Sequence, residues 1–149
     1  MEISKEQWTA IEDAMQSFFC DVTFRYQGFE IQVARRLVSE AKAELLVYIN
    51  GEIKGSWFTN KNDRPPIFSD VYCKRTVSKY KPVQQKRIEK IWGKRRVKTE
   101  YPDLHDKIEY FVPNFKKASV ICRQYKKLNG LEVIKVNGTP FDEWLKDLN

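Results

Sequence analysis

Histidine is almost absent from this sequence of 149 residues, and the other residue types that build enzyme sites form no catalytic signature. His105 has no second histidine to complete a metal site or a two-histidine acid–base pair. The three cysteines are an odd number at wide spacing, which predicts free thiols rather than disulfides or a metal knuckle. The six glycines form no phosphate loop that leads into Lys and Ser or Thr. We therefore expect no catalytic residue, no metal and no cofactor.

Long apolar runs are also lacking. The longest contain four or five residues, such as residues 45–49, whereas a membrane-spanning helix needs about 20. Residues 1–5 do not form the apolar region of a signal peptide. These absences predict a cytoplasmic protein without membrane contact. Because 42% of the residues are hydrophobic and 13% are aromatic, the chain can bury a core, and its length predicts a single compact domain over residues 1–149.

Acidic residues are scarce in residues 73–98, where Glu89 is the only acid beside eleven lysines and arginines. This stretch has a net charge of +10, although the whole chain has only +7. Residues 116–127 add five cations and no acid, and the rest of the chain has a net charge of −8. Such concentrated positive charge indicates an anionic partner, either nucleic acid or an acidic protein surface. A merely solvated helix surface is the alternative, but such a surface ordinarily carries both signs of charge.

Residues 1–59 predict a helix followed by an antiparallel sheet. Ser4 and Gln7 match a capping box at the start of the helix. An apolar stripe at helical spacing follows and is expected to lie in the core, namely Trp8, Ile11, Met15, Phe18 and Phe19. Two hairpins should follow, with turns at Gln27-Gly28 and Asn50-Gly51, and the second hairpin returns through residues 53–58. The expected sheet is a four-stranded antiparallel meander with the helix on one face.

Residues 67–149 predict a mainly helical and basic second half, so the fold class is α+β. Helices are expected at residues 67–80, from Pro82 to a stop at Gly93, and at residues 103–111 and 116–128. A short late strand near residues 131–136 should precede a C-terminal helix that opens at Thr139-Pro140. This last helix is expected to bury Phe141, Trp144, Leu145 and Leu148.

The candidate binding residues are cations of the basic stretch. At 100° per residue, Lys86, Lys90 and Lys94 lie within about 80° of one another and form a ridge. The face that carries Ile88, Ile91 and Trp92 is distinct from this ridge and should contact the core. The loop predicted after Gly93 adds three further cations, namely Arg95, Arg96 and Lys98.

Two further candidates lie on the helix at residues 116–128, where Arg123 and Lys127 share an exposed face. Three tyrosines are interleaved with the cations, namely Tyr72, Tyr80 and Tyr101. Tyrosines can stack on nucleic-acid bases, but we expect these rings to pack in the core or beneath lysine stems.

One enzyme hypothesis stays open, which is a metal-dependent nuclease. Glu52-Ile53-Lys54 and Glu40-Ala41-Lys42 match the Glu-x-Lys pattern of restriction-endonuclease-like enzymes, with Asp21 as the candidate upstream carboxylate. A three-residue pattern arises easily by chance, and Glu52 directly follows a predicted turn. A nucleophilic pair of His105 with a cysteine is disfavoured, because Cys20 and Cys122 lie at apolar positions typical of buried structural cysteines.

Several short segments resemble those of small accessory proteins encoded by phages and prophages. They are Glu6-Gln7-Trp8, the hairpin from Val47-Tyr48-Ile49-Asn50-Gly51 to Gly55-Ser56-Trp57-Phe58, and Cys122-Arg123. The resemblance implies a small single-domain protein without cofactors that binds host machinery in the bacterial cytoplasm. Such proteins include inhibitors of defence systems, such as CRISPR or restriction complexes. The positive charge departs from the acidic, DNA-mimicking type of inhibitor, so mimicry of DNA is not expected.

Three functional hypotheses follow. The first is a non-catalytic protein that inhibits or modulates a nucleic-acid-processing or defence complex, such as CRISPR, through its basic surface. The second is direct binding of DNA or RNA, and the third is the metal-dependent nuclease. The expected partner is nucleic acid or an acidic surface of a host protein or ribonucleoprotein complex.

Overall fold

The structure is a computed structural model that describes residues 2–148. The chain forms two compact units, of which the first comprises Met1–Cys73 with Val112–Asn149 and the second comprises Lys74–Phe111. We call them the sheet unit and the basic unit. Helices combined with an antiparallel sheet confirm the α+β class. The single domain expected over residues 1–149 stays a prediction.

The secondary structure is divided among short elements. The helices are α1 (Lys5–Met15), α2 (Ser56–Thr59), α3 (Phe68–Val71), α4 (Pro82–Trp92), α5 (Lys94–Glu100), α6 (Ala118–Tyr125) and α7 (Phe141–Asp147). The strands are β1 (Asp21–Tyr26), β2 (Phe29–Leu37), β3 (Ala43–Ile49), β4 (Cys73–Ser78), β5 (Lys107–Val112), β6 (Asn114–Phe115), β7 (Glu132–Val136) and β8 (Thr139–Pro140). Within residues 2–148, no helix is both long and apolar enough to cross a membrane.

The sheet unit is built on six strands in the order β6-β3-β2-β1-β7-β8, in which neighbouring strands are antiparallel. The first predicted hairpin is confirmed, because Val22 of β1 pairs with Val33 of β2. Phe24 of β1 is fully buried, and its ring lies 6.1 Å from the ring of Trp8 in α1 and 5.5 Å from that of Tyr125 in α6. These two helices therefore cover the same face of the sheet.

The start of α1 is as predicted. The Ser4 hydroxyl accepts a hydrogen bond from the Gln7 backbone N–H at 3.1 Å, and the Gln7 side-chain oxygen accepts one from the Ser4 N–H at 3.0 Å. This capping box satisfies two backbone donors that the helix itself leaves unpaired. The first three residues of the predicted stripe are buried, namely Trp8, Ile11 and Met15.

The last two residues of that stripe, Phe18 and Phe19, are not in the core. The helix ends at Met15, and the side chains of Phe18 and Phe19 are 56% and 83% exposed. A turn in which the Cys20 N–H donates to the Ser17 carbonyl leads the chain into β1. Because the helix ends at Met15, helical spacing no longer predicts burial at Phe18 and Phe19.

The predicted fourth strand of the meander is wrong. The Asn50-Gly51 turn is present with positive φ angles of 51° and 79°, but Glu52 makes only an isolated bridge to Ile49. The chain then leaves the sheet and forms α2. The edge of β3 is taken by β6 instead, where Leu45 pairs with Phe115.

The second half contains more strand than predicted. The expected helix at residues 67–80 is wrong, because α3 covers only Phe68–Val71 and is followed by β4. The expected helix at residues 103–111 is also wrong, because the chain there forms a turn and then β5. Strands β4 and β5 pair in a two-stranded sheet. The alternation of Ile108, Tyr110 and Val112 has the period of a strand, not of a helix.

The remaining predicted elements are confirmed with shorter bounds. Pro82 is the first residue of α4 and Gly93 ends it, while α6, β7 and α7 lie where helix, strand and helix are expected. The expected burial in α7 is wrong for Leu148, which is exposed beyond the end of the helix. The other three apolar side chains are half-buried, namely Phe141, Trp144 and Leu145.

Candidate anion-binding surface

The basic unit holds all of the chain's net positive charge. Residues 74–111 contain twelve lysines and arginines and five acids, which gives a net charge of +7 with His105 neutral. The sheet unit contains fifteen residues of each sign and is neutral. The field of the basic unit is therefore the strongest electrostatic signal on the chain.

Two acids of the basic unit form ion pairs with Lys74, which lies in β4, and with Lys79, which directly follows β4. The Glu109 carboxylate lies 3.0 Å from the Lys74 ammonium. The Lys79 ammonium donates to the Asp103 carboxylate, and this hydrogen bond lowers the pKa of Asp103 and raises that of Lys79. Neither pair involves a cation of α4 or α5.

Seven cations on α4 and α5 are exposed, and within residues 2–148 none of them forms an ion pair. They are Lys86, Arg87, Lys90, Lys94, Arg95, Arg96 and Lys98. Six of them are sequence-predicted site residues. Arg87 is the additional one, and it could have been found from its position one residue after Lys86 and three before Lys90.

The outward face of α4 is both cationic and apolar. Lys86, Arg87 and Lys90 lie within about 100° on the helix wheel, and we call them the α4 ridge. Val83 and Ile91 are 68% and 70% exposed. The prediction that Ile91 contacts the core is therefore wrong.

The predicted lysine ridge ends with α4. Gly93 has φ 77° and ψ 152°, a conformation essentially restricted to glycine, and α5 begins at the next residue. Lys94 is therefore the first residue of α5 and lies on the same side of that helix as Lys98. The loop predicted for Arg95, Arg96 and Lys98 is wrong, because all three belong to α5.

A groove of about 350 Å³ lies beside α5, and we call it the α5 groove. Val97 and Leu104 are its two buried apolar residues, whereas Lys94 and Lys98 are exposed. The full lining is Glu89, Lys94, Val97, Lys98, Tyr101, Pro102, Leu104 and His105. The groove therefore joins cationic side chains to an apolar surface.

His105 lies in this groove, in the turn before β5, although a helix is expected at residues 103–111. Its Nε2 is 3.0 Å from Glu89 Oε1, so the single histidine is held by the only acid of residues 73–98. The sequence separates the two residues by 16 positions, and no local pattern predicts their pairing.

Aromatic rings support α5 and the groove. The Tyr101 ring lies 5.9 Å from the Trp92 ring and 6.3 Å from the Tyr80 ring. The Arg96 guanidinium lies 5.0 Å from the centre of the Trp92 ring, a cation–π contact that fixes one of the predicted site residues. Tyr72, by contrast, is fully buried in the sheet unit.

The two supporting candidates, Arg123 and Lys127, lie in the sheet unit. Arg123 is exposed in the last turn of α6, and Lys127 is exposed just after that helix. The inner face of α6 is buried as predicted, with Ile121, Cys122 and Tyr125 in the core. The structure thus assigns the eight predicted residues to two different units.

The carboxylates of the nuclease hypothesis are not brought together. Asp21 begins β1 and accepts hydrogen bonds from Gln32, whereas Glu52 follows the turn near the other end of the meander. The register places them three residues apart along the strands, or roughly 10 Å, and β2 and β3 separate them across the sheet. Glu52 instead lies 3.6 Å from Lys54. In the described part of the chain, no group of three His, Cys, Asp or Glu residues could hold a metal ion.

The exposed Phe18–Phe19 pair is a feature that the sequence does not reveal as a surface. The two rings meet edge to face at 5.3 Å. The Arg35 guanidinium donates to the Met15 carbonyl at 2.7 Å and to the Ser17 carbonyl at 3.2 Å, so it fixes the segment that presents them. Two adjacent exposed aromatic side chains on a hydrogen-bonded segment are typical of a protein contact.

The cysteines are free thiols, as predicted. Burial raises the pKa of Cys20 to about 11 and that of Cys122 to about 12. Both thiols therefore stay protonated near neutral pH and are poor nucleophiles.

No protein-family model matches this chain, and neither a curated protein nor a solved structure is detectably similar to it.

Proposed function

We propose that this chain is a non-catalytic binding protein that inhibits or modulates a bacterial nucleic-acid-processing complex, with a phage-encoded inhibitor of a defence complex such as CRISPR as the setting. Its basic unit contacts the phosphates of the nucleic acid in that complex. The bacterial cytoplasm is the compartment in which such a complex works.

The observation that carries this proposal is the set of seven exposed cations on α4 and α5 that form no ion pair with any residue of the described range 2–148. A face kept only for solubility would mix both signs of charge. Helices that present several lysines and arginines side by side match the closely spaced phosphates of a nucleic-acid strand, and each contact releases counterions.

A complex, rather than bare nucleic acid, is favoured by the Phe18–Phe19 pair. These rings are exposed on the electrically neutral sheet unit, where phosphate binding offers no reason for them. Aromatic side chains presented by a fixed segment are typical anchors of protein interfaces. The two units thus offer two chemistries, one for phosphate and one for protein.

The first experiment measures binding of the purified chain to a 20-nucleotide single strand and to a 20-base-pair duplex across a range of salt concentrations. Affinity should fall steeply as salt rises. Lys86→Glu with Lys90→Glu should weaken binding at least tenfold and reduce the slope of log affinity against log salt by about two.

The matched control reverses the same number of charges in the other unit at two exposed lysines outside the candidate set, with Lys42→Glu and Lys61→Glu. If binding depends on the basic unit, this control should keep most of the affinity. Equal losses in the two double variants would mean that net charge alone causes binding. If the wild-type chain binds neither the single strand nor the duplex at low salt, the proposed phosphate contact is wrong.

The second experiment is affinity purification of the tagged chain from a bacterial host. A defined protein complex should be recovered, and Phe18→Ser with Phe19→Ser should reduce its recovery while leaving the affinity for the bare 20-nucleotide strand unchanged. Recovery of bulk nucleic acid or ribosomes alone would favour direct nucleic-acid binding. A third outcome would favour an acidic protein surface as the partner. In that outcome, the complex is still recovered after nuclease treatment and with the Phe18/Phe19 variant, but it is lost with Lys86→Glu and Lys90→Glu.

A further inference from the structure

The α5 groove differs from the α4 ridge because it is concave and has an apolar base. Its volume of about 350 Å³ lies at the small end of the range for ligand pockets. Val97 and Leu104 are buried beneath it, while Lys94 and Lys98 are exposed. An extended strand lies on a convex ridge, whereas a groove of this size suits one compact chemical group.

The two lysines of the groove are arranged unfavourably unless an anion binds them. They are four residues apart on α5, where like charges destabilise a helix. Neither forms an ion pair within residues 2–148. Two ammonium groups about one helical turn apart can both contact the oxygens of a single phosphate group. An anion bound between the two ammonium groups would relieve this repulsion.

The remaining charged groups of the groove leave it positive. Glu89 opposes an anion, but its Oε1 lies 3.0 Å from Nε2 of His105. With Lys94 and Lys98, the four groups have a net charge of +1 when His105 is neutral and +2 when it is protonated. The acid thus reduces the attraction without reversing it.

The aromatic side of the groove suits the base or sugar next to a phosphate. Tyr101 is half-buried, and its ring lies 5.9 Å from the Trp92 ring and 6.3 Å from the Tyr80 ring. Pro102 extends this surface. An aromatic side chain that lines the groove is a suitable stacking partner for a base, because every base has a π-face.

We infer that the α5 groove binds a nucleotide phosphomonoester, either at the end of a nucleic-acid strand or in a free nucleotide. This inference rests on the proposed contact between the basic unit and nucleic acid. A backbone phosphodiester has one negative charge, whereas a terminal phosphomonoester has nearly two at neutral pH and gains more from two adjacent lysines. The ridge contacts the strand, and the groove selects its phosphorylated end.

The test compares one 12-nucleotide strand in three forms, with a 5′-phosphate, with a 3′-phosphate and with hydroxyl groups at both ends. Adenosine 5′-monophosphate is the free-nucleotide probe. We expect one phosphorylated form to bind wild type about tenfold more tightly than the hydroxyl form. Lys94→Gln with Lys98→Gln should abolish this preference. Lys86→Gln with Lys90→Gln should weaken the binding of all three forms but preserve the preference for the phosphorylated form.

The outcomes separate this inference from the proposed function. Equal binding of all three forms by wild type would overturn the groove inference and leave the phosphate contact intact. A preference that survives in the Lys94/Lys98 variant would overturn it as well. No binding of any form would overturn the proposed phosphate contact itself. If adenosine 5′-monophosphate alone binds, and does so only with Lys94 and Lys98 present, the groove is a free-nucleotide site.

Discussion

The sheet unit and the basic unit differ in how many apolar residues they bury and in their net charge. The sheet unit buries a continuous apolar core that includes Phe24, Ile11 and Tyr125, and it has no net charge. In the basic unit, Val97 and Leu104 are the two apolar side chains that are buried among residues 74–111. A segment of this size cannot bury much surface. Its stability must come from strand pairing and half-buried rings. Its exposed faces carry cations that repel one another.

This difference indicates a division of labour. A neutral, well-packed unit provides stability. A small unit with an excess of positive charge is stabilised when an anion neutralises that charge. Binding of a polyanion should therefore protect the basic unit more than the sheet unit.

The largest effect is expected from Phe24→Ala in the sheet unit. The side chain is fully buried between Trp8 and Tyr125, so its removal leaves a cavity in the centre of the core. We expect a loss of about 3–5 kcal/mol in the free energy of unfolding, measured by chemical denaturation. A loss below about 1 kcal/mol would show that this core is not the main source of stability.

A smaller and local effect is expected from Leu104→Ala in the basic unit. Leu104 is one of its two buried side chains, and a truncation of this kind costs about 2–4 kcal/mol where the surroundings are well packed. Amide hydrogen exchange should become faster in α4 and α5 and stay unchanged in β1 to β3. Equally faster exchange in the two units would mean that their stabilities are not separate.

The contrast between the units also explains which predictions from the sequence succeed. In the sheet unit, strict alternation and the Asn50-Gly51 turn agree with the tertiary environment, so strands β1 to β3 are predicted correctly, as is the start of α1. The fourth strand fails because β6, more than 60 residues later, pairs with β3. No local signal encodes a pairing over that distance.

In the basic unit, composition conceals the strands. The three cations of residues 74–80 favour a helix when propensity alone is considered, but Thr76 and Val77 are β-branched and the segment pairs with β5. For the site, exposure of the lysines is predictable from helical spacing. The groove is not, because it depends on the conformation of Gly93 and on His105 meeting Glu89.

The smallest expected effects come from two buried tyrosines of the sheet unit that differ in one hydrogen bond. The Tyr125 hydroxyl donates to the Val71 carbonyl at 2.8 Å, whereas the Tyr72 hydroxyl is buried without a hydrogen-bond partner in the described chain. Tyr125→Phe should therefore lower the free energy of unfolding by about 1–2 kcal/mol, because the Val71 carbonyl loses its donor. Tyr72→Phe removes only an unpaired polar atom and should leave stability unchanged or raise it by up to about 1 kcal/mol.

Chemical denaturation of the two variants side by side measures this difference, and each ring keeps its aromatic neighbours. Tyr72 retains its contacts with Trp57, Phe58 and Phe68, so the comparison isolates the hydroxyl group. If Tyr72→Phe costs as much as Tyr125→Phe, the Tyr72 hydroxyl has a partner, such as an ordered water. In that case the core of the sheet unit contains a polar site, and its contrast with the basic unit is one of size rather than of polarity.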